Sequence, residues 1–202
     1  SAAKDNVELD LHRFVLFFGH RFSDKVRFFS ELEVEHNVAG EGKNGEVEIE
    51  QAFIEYDYAA NHSAKAGVFL VPVGILNETH EPDTFYGVER NNVEKNIIPT
   101  TWWEGGVMGS GEVAAGVSYD VAVSSGLYLD IDGGKFKVRD GRQKTSEANA
   151  TDLAYTARLV WNGIPGVQAG FTVQQQQDLM QGDVVGVVQD LDALLLETHV
   201  DL

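Results

Sequence analysis

The sequence predicts an all-β protein, folded as an antiparallel up-and-down meander of about eight to ten strands. Three observations lead to this fold class. Apolar and polar residues alternate with a period of two over many segments, turn-forming residues separate these segments, and no convincing helical periodicity of 3.6 residues occurs. At 202 residues, with no linker or shift in composition, the chain is expected to form a single domain over 1–202.

The first half of the chain predicts four strands, over 7–22, 26–38, 46–58 and 64–75. In the first of these the apolar side changes by one residue near His12 and Arg13, which predicts a β-bulge there. In the second and third strands, glutamates alternate with apolar residues. If these two strands are neighbours, the glutamates form an acidic strip on one face.

The second half predicts five more strands, over 102–108, 113–129, 152–162, 167–176 and 193–200. The Gly- and Ser-rich segment 109–112 is predicted to be a turn. The strand over 113–129 would far exceed the ~5–6 residues of a usual strand. With one apolar face and one small or polar face, it is typical of a tilted transmembrane barrel wall.

One long connection, at 76–101, interrupts this rhythm. Loops of this length are uncommon in compact folds and are usually functional or disordered. This loop contains apolar side chains, which are too many for a disordered linker; they are Phe85, Tyr86, Val88, Ile97 and Ile98. We therefore expect the loop to fold inward, with Phe85, Tyr86, Ile97 and Ile98 able to anchor it to the wall.

The same region carries a resemblance to a known family. The segments FLVPVGILNETHEP, TFYGVERN and NIIPTTWWEGG resemble the signature of bacterial outer-membrane porins of the phosphate-selective porin O/P-like group. Weaker similarity, in DLHRFVLFFGHRF, FFSELEVEHNVAG and DLAYTARL, extends it over most of residues 7–200. Pore-sized barrels have roughly 16–18 strands, so the resemblance implies that the chain is the N-terminal portion of a porin barrel.

The resemblance implies a water-filled channel in the bacterial outer membrane, open to passive diffusion of small hydrophilic solutes or ions. Its partners would be these solutes and outer-membrane lipid, with a homotrimer as the candidate assembly of the full-length form. Some relatives pass phosphate or other anions. Because this chain has a net charge of −17 and is acidic where its lumen can be placed, its ion selectivity stays open.

Eight charged residues are the candidates for lining the pore. Those of the long loop would narrow the channel and those of the strands would line its wall, because rings of charged side chains set the selectivity of channels. The loop candidates are Glu89, Arg90, Glu94 and Lys95, and the wall candidates are Arg13, Arg27, Glu31 and Glu33.

Composition and motifs exclude several other classes. The acidic balance argues against nucleic acid and against a polybasic membrane anchor, and the absence of cysteine excludes disulfides and thiolate metal sites. No catalytic motif is present, so we expect no enzyme activity and no cofactor. His80 lies near Glu78, Glu81 and Asp83, but this spacing matches no defined metal site, and a polar loop is the favoured interpretation.

Two charged features have ordinary interpretations as well. The acidic strip is either a solvated sheet face or a face neutralised by a cation or by basic partners such as Arg13, Arg27 or Lys65. The basic patch of Arg139, Arg142 and Lys144 is expected to be a solvated loop tip.

The alternative function is a soluble β-barrel or sandwich that binds a carbohydrate or a small hydrophobic ligand. It predicts that the alternating apolar faces point inward to a core, whereas a porin turns them outward to lipid.

Overall fold

The computed structural model describes residues 9–38, 42, 45–85, 87, 90–130, 137–182 and 190–202. Nine strands form one sheet in chain order, and each pairs antiparallel with the next. The predicted all-β up-and-down meander is therefore confirmed. The strands are β1 (Arg13–Arg21), β2 (Val26–Glu35), β3 (Val47–Ala59), β4 (His62–Leu70), β5 (Trp103–Ala114), β6 (Val117–Ser124), β7 (Ala154–Ile164), β8 (Val167–Gln176) and β9 (Ala193–Asp201).

The connections alternate between a short end and a long end of the sheet. At one end, turns of two to four residues join β1 to β2, β3 to β4, β5 to β6 and β7 to β8. At the other end run the longer connections, including 71–102, 125–153 and 177–192. Their only helices within the described residues are single-turn pieces, at His36–Val38, Pro82–Thr84, Val93–Ile97 and Val138–Gly141. In the described parts of the chain, no helix has the length and apolar character needed to cross a membrane.

The predicted turn at 109–112 and the predicted long strand at 113–129 are both wrong. Residues 109–112 lie inside β5, where 109–111 pair with β4 and 109–112 pair with β6. The actual turn is at Ala115 and Gly116, where Gly116 has a φ of 74°. Small residues occur in β5 because neighbouring side chains need the space: a Cβ on Gly111 would collide with the ring of His62.

The predicted bulge near His12 and Arg13 is also wrong, because β1 begins at Arg13 and pairs with β2 in continuous register. The irregularity lies between β2 and β3 instead. Glu31 pairs with Gln51, whereas Leu32 pairs with Ile49, so Glu50 is an extra residue. Residues 7 and 8 of the predicted first strand lie outside the described residues.

The two faces of the sheet differ in charge. Alternation along the paired strands places every Asp, Glu, Lys and Arg of β1–β9 on one face, the inner face. The outer face carries large apolar side chains with 39% to 64% of their surface exposed. They include Phe14, Phe18, Val47, Ile49, Ile54, Tyr56, Val107, Val121, Tyr155, Leu159, Trp161, Phe171, Leu194, Leu196 and Val200.

The long connections form the larger apolar cluster of the described residues. Its buried members all belong to three connections, with none from a strand: Val71, Val73, Ile98, Trp102, Leu127, Leu129 and Leu179. A smaller cluster lies on the inner face of the strands, where Phe53, Phe69, Met108 and Ala122 pack together. Among the described residues, burial is therefore concentrated on the inner face and in the connections, while the outer face lacks cover from the described chain.

The close approach of β4 and β5 to their neighbours depends on two glycines that pair with each other, Gly67 and Gly106. A Cβ on Gly67, whose φ is 137°, would collide with the carbonyl oxygen of Ala52, and a Cβ on Gly106 with that of Val123. We expect Gly106→Ala to lower the free energy of unfolding by about 1–3 kcal/mol, since backbone has to move. The measurement is equilibrium unfolding in urea.

Gly109→Ala is the matched control in the same strand, because its Cβ would lie 4.0 Å from its nearest neighbour, the carbonyl oxygen of Ser63. It should change the free energy of unfolding by no more than about 0.5 kcal/mol. Equal stability of the two variants would contradict the close approach of the strands.

Candidate functional site

The connection between β4 and β5, at 71–102, is closed at its base by Asn77. The side-chain Nδ2 of Asn77 donates to the carbonyl oxygens of Val71, at 2.7 Å, and Trp102, at 2.8 Å. Its Oδ1 accepts from the backbone N–H of Trp102, at 2.7 Å. Asn77 and Trp102 are fully buried. One side chain thus satisfies three backbone groups and joins the two ends of the loop.

Glu94 joins the middle of this loop to its start. It lies in the short π-helix Val93–Ile97, is 6% exposed, and accepts a hydrogen bond from the backbone N–H of Ile75, at 2.8 Å. Burial raises the pKa of Glu94. The expectation that Glu94 presents its charge to a water path is therefore wrong. Ile98 is buried as expected, whereas Ile97 is 61% exposed and does not anchor the loop to the wall.

The loop lies across the inner face and contacts both halves of the sheet. On one side, His80 Nε2 lies 2.8 Å from Glu50 Oε2 of β3 and 3.8 Å from Glu31 Oε1 of β2. On the other side, Glu78 pairs with Arg158 of β7, at 2.5 Å. Because its contacts reach from β2 to β7, the loop covers the part of the inner face where His80 and Glu78 lie.

Electrostatics favour a charged His80. Burial lowers the pKa of the imidazole, but the hydrogen bond to Glu50 and the charges of Glu50, Glu31 and Glu81 outweigh this effect, so that the pKa of His80 is raised. The sequence favoured an ordinary polar loop around His80, formed by its neighbours in the chain. In the fold, Glu31 of β2 and Glu50 of β3 also lie next to His80.

Beside this contact lies a polar cavity of about 170 Å³ at the long end of the sheet. Carboxylates of β2, of β3 and of the segment before β3 line one part of it. Cations, mostly from the connections, line the rest, together with Thr101 and Trp103. The carboxylates are Glu33, Glu35, Glu46, Glu48 and Glu50, and the cations are Arg13, Arg90, Arg139, Arg142 and Lys144.

The acidic strip is neutralised mainly by basic side chains. Arg13 lies 2.8 Å from Glu33 and 3.3 Å from Glu35, and Lys144 pairs with Glu48. The interpretation of the strip as a solvated face is wrong for its centre, because Glu31, Glu33 and Glu50 are buried. Of the expected basic partners, Arg13 serves the strip. Lys65 instead lies over the rings of Phe53 and Phe69.

The basic patch of the second long connection is not a solvated tip. The Nη1 atoms of Arg90 and Arg139 both donate to the carbonyl oxygen of Thr100, at 2.6 Å and 2.5 Å, and Arg142 donates to that of Thr101. Burial and the charge of Arg139 lower the pKa of Arg142 to about 10. Burial, followed by the charges of Arg13 and Arg139, also lowers the pKa of Arg90.

Three of the eight candidate pore residues meet at the cavity: Arg13, Glu33 and Arg90. Glu31 lies next to it, at His80. Arg27 lies apart, toward the short turns, where it pairs with Glu55 and Asp57. Glu94 is in the loop interior, and Glu89 lies outside the described residues. Lys95 has an exposed side chain, and its carbonyl oxygen accepts from Arg139.

Sequence reasoning omitted several residues of the cavity from its candidates. Glu48 and Glu50 were visible as part of the acidic strip, and their period of two could have placed them beside Glu33. Arg139, Arg142 and Lys144 had no such signal, because their position depends on how one long connection folds against another.

Comparison with known proteins finds a relative without an assigned function. The chain is 38% identical over 156 residues to an uncharacterized protein of Aquifex aeolicus (strain VF5). The match covers 75% of this chain and 35% of that protein, so the chain spans about a third of the length of this relative. No family model matches the chain.

Because Asn77 holds both ends of the loop, we expect Asn77→Ala to lower the free energy of unfolding by about 1–3 kcal/mol. The buried N–H of Trp102 loses its acceptor, while the carbonyl oxygens of Val71 and Trp102 each lose one donor and keep one from the backbone. Equilibrium unfolding gives this value, and hydrogen exchange at the Trp102 amide should become faster.

The control is Asn96→Ala on the same loop, since Asn96 is exposed and makes a contact of only 3.5 Å with Asn92. Its effect should stay within about 0.5 kcal/mol. If Asn96→Ala lowers the free energy of unfolding as much as Asn77→Ala does, Asn77 is not the contact that closes the loop.

Proposed function

We propose that this chain forms part of an outer-membrane porin, whose water-filled channel passes small hydrophilic solutes or ions by diffusion. The observation that carries the proposal is the division of charge between the two faces of the sheet. Every charged residue of the nine strands lies on the inner face, and the outer face is exposed and apolar.

A lipid environment explains the outer face. Exposed apolar patches beyond a few hundred Å² mark sites of contact with membranes or proteins, and here large apolar side chains extend from β1 to β9. A charge on the lipid face of a barrel costs up to about 2–4 kcal/mol. The lack of any Asp, Glu, Lys or Arg at the outer positions of these nine strands supports a wall that faces lipid.

The soluble alternative requires the opposite arrangement. A soluble barrel or sandwich buries its apolar faces in a core and exposes polar faces to water. In this chain, Glu31, Glu33 and Glu104 are buried on the inner face, whereas Val121 and Leu159 are exposed on the outer face. These positions favour the porin over the ligand-binding module.

The polar cavity provides a candidate constriction. Acidic side chains of the wall face cations of the infolded connections across a space of about 170 Å³. Charges that line a narrow channel act on passing ions more strongly than charges in bulk water do. Because both signs are present, small hydrophilic solutes or ions are the proposed substrates, with no preference for anions implied.

The two edges of the sheet are compatible with a larger barrel. Among the described residues, β1 and β9 each pair with one neighbour. The Aquifex relative extends well beyond the matched region. We infer that further strands pair with these edges, since an open sheet edge is not tolerated in lipid. A bacterial outer membrane is the proposed location.

Orientation can be tested with spin labels, because the chain contains no cysteine and each introduced one is labelled alone. In lipid vesicles, labels at Val121→Cys and Leu159→Cys should be more accessible to oxygen than to a water-soluble nickel complex. The label at Ser63→Cys is the comparison, since Ser63 lies on the inner face beside an open cavity of about 520 Å³. The label at Ser63→Cys should be more accessible to the nickel complex than to oxygen. If the outer labels instead report water or a protein core, the lipid-facing wall is refuted.

Channel activity tests the constriction. In the full-length protein reconstituted in planar bilayers, Lys144→Glu should move the reversal potential in a KCl gradient toward that of the cation, because it removes a positive charge at the cavity and adds a negative one. Lys25→Glu makes the same change in charge in the exposed turn between β1 and β2, and it should leave the reversal potential unchanged. Absence of channels in the wild-type protein would overturn the proposal. Equal shifts of the reversal potential in the two variants would show that the cavity is not the constriction.

A further inference from the structure

The surroundings of His80 resemble those of a metal ligand more than those of an isolated ion pair. Its Nδ1 lies 3.3 Å from the carbonyl oxygen of Asn77, so an Nδ1–H donates there and Nε2 points to the wall. Metal-binding histidines are commonly oriented in this way, by a hydrogen bond from the second ring nitrogen to a backbone carbonyl or a carboxylate. Because Asn77 is itself fixed by three hydrogen bonds, the ring has a defined position.

Three carboxylates from different parts of the chain surround Nε2. Glu31 Oε1 and Glu81 Oε1 each lie 3.8 Å from it, and Glu50 Oε2 lies at 2.8 Å. The ligand atoms of Glu31, His80 and Glu81 all lie within 4.8 Å of one another. Ligands at ~2.0–2.1 Å from a tetrahedral ion are about 3.3 Å apart, so each of the two 3.8 Å distances from Nε2 to a glutamate oxygen would have to shorten by about half an ångström.

Without a cation, the group of Glu31, Glu50, His80 and Glu81 has an excess of negative charge and an unsatisfied hydrogen-bond acceptor. Glu81 Oε1 is buried and has no hydrogen-bond donor. The guanidinium of Arg13 reaches the other oxygen of Glu81 only at 3.9 Å, because it lies closer to Glu33 and Glu35. Three carboxylates therefore face one imidazole, in a region where unpaired buried charge is costly.

We propose that Glu31, His80 and Glu81 bind a divalent transition-metal ion such as Zn²⁺, with Glu50 beside it to balance charge. Imidazole and carboxylate together suit such ions. On binding, the Nε2 proton of His80 is released to solvent and the metal takes its place. The ion would join the loop that carries His80 and Glu81 to β2, and so fix the loop against the wall. Binding of the ion does not depend on the proposed channel activity.

Isothermal titration of the untagged protein with Zn²⁺ in detergent tests the site. We expect one equivalent to bind, with a loss of at least tenfold in affinity for His80→Ala and for Glu81→Gln. X-ray absorption of the bound ion should show one imidazole among oxygen ligands. Glu81→Gln keeps the side-chain size and removes no hydrogen bond at Oε1, so it tests the site even if His80→Ala does not fold.

The matched control is His199→Ala. His199 also lies 2.8 Å from a carboxylate, that of Glu197, in a half-buried position on the inner face, but the described residues offer it no comparable cluster. This variant should bind Zn²⁺ within twofold of the wild-type affinity. No stoichiometric binding, or an equal loss in His199→Ala and His80→Ala, would overturn the metal site. Normal channel conductance together with absent Zn²⁺ binding would overturn the metal site and leave the proposed channel function intact.

Discussion

Toward the long end of the sheet, carboxylates of the inner face such as Glu31, Glu50 and Glu104 are buried, so each of them needs a charged or hydrogen-bonding partner. The connections at the long end provide these partners. Glu104 of β5 shows the pattern, since its carboxylate accepts hydrogen bonds from Trp102 Nε1, at 2.8 Å, and from Ser125 Oγ, both of which belong to connections. The connections are thus ordered by the polar groups that they satisfy, as well as by their own apolar cluster.

The same constraint explains how charge is arranged around the cavity. The strands supply carboxylates at a period of two, while the connections supply most of the cations, including Arg90, Arg142 and Lys144. Opposite charges held a few ångströms apart stabilise each other and keep the space between them polar. In the proposed channel, a solute would meet fixed charges of both signs. This arrangement requires the connections to be held firmly at their ends, as Asn77 does for the first of them.

Sequence patterns gave correct results where the physical cause was local. Alternation of apolar and polar residues identified nine strands, because neighbouring side chains of a strand point to opposite faces. Errors arose where composition suggests one structure and neighbours impose another. Gly109 and Gly111 resemble turn residues but lie in a paired strand that needs little side-chain volume. Glu94 carries a charge typical of exposed positions, yet a backbone N–H of the same loop binds it in the interior.

The sequence by itself determined the meander, the two chemically different faces and the presence of a loop with too many apolar residues for a linker. These properties follow from residue types a few positions apart. Only the tertiary structure decided which groups meet, because the positions in contact are far apart in the chain. His80 meets Glu50 across 30 positions and Lys144 meets Glu48 across 96. Contacts of this kind depend on how each connection packs on the inner face, which no local pattern of residues encodes.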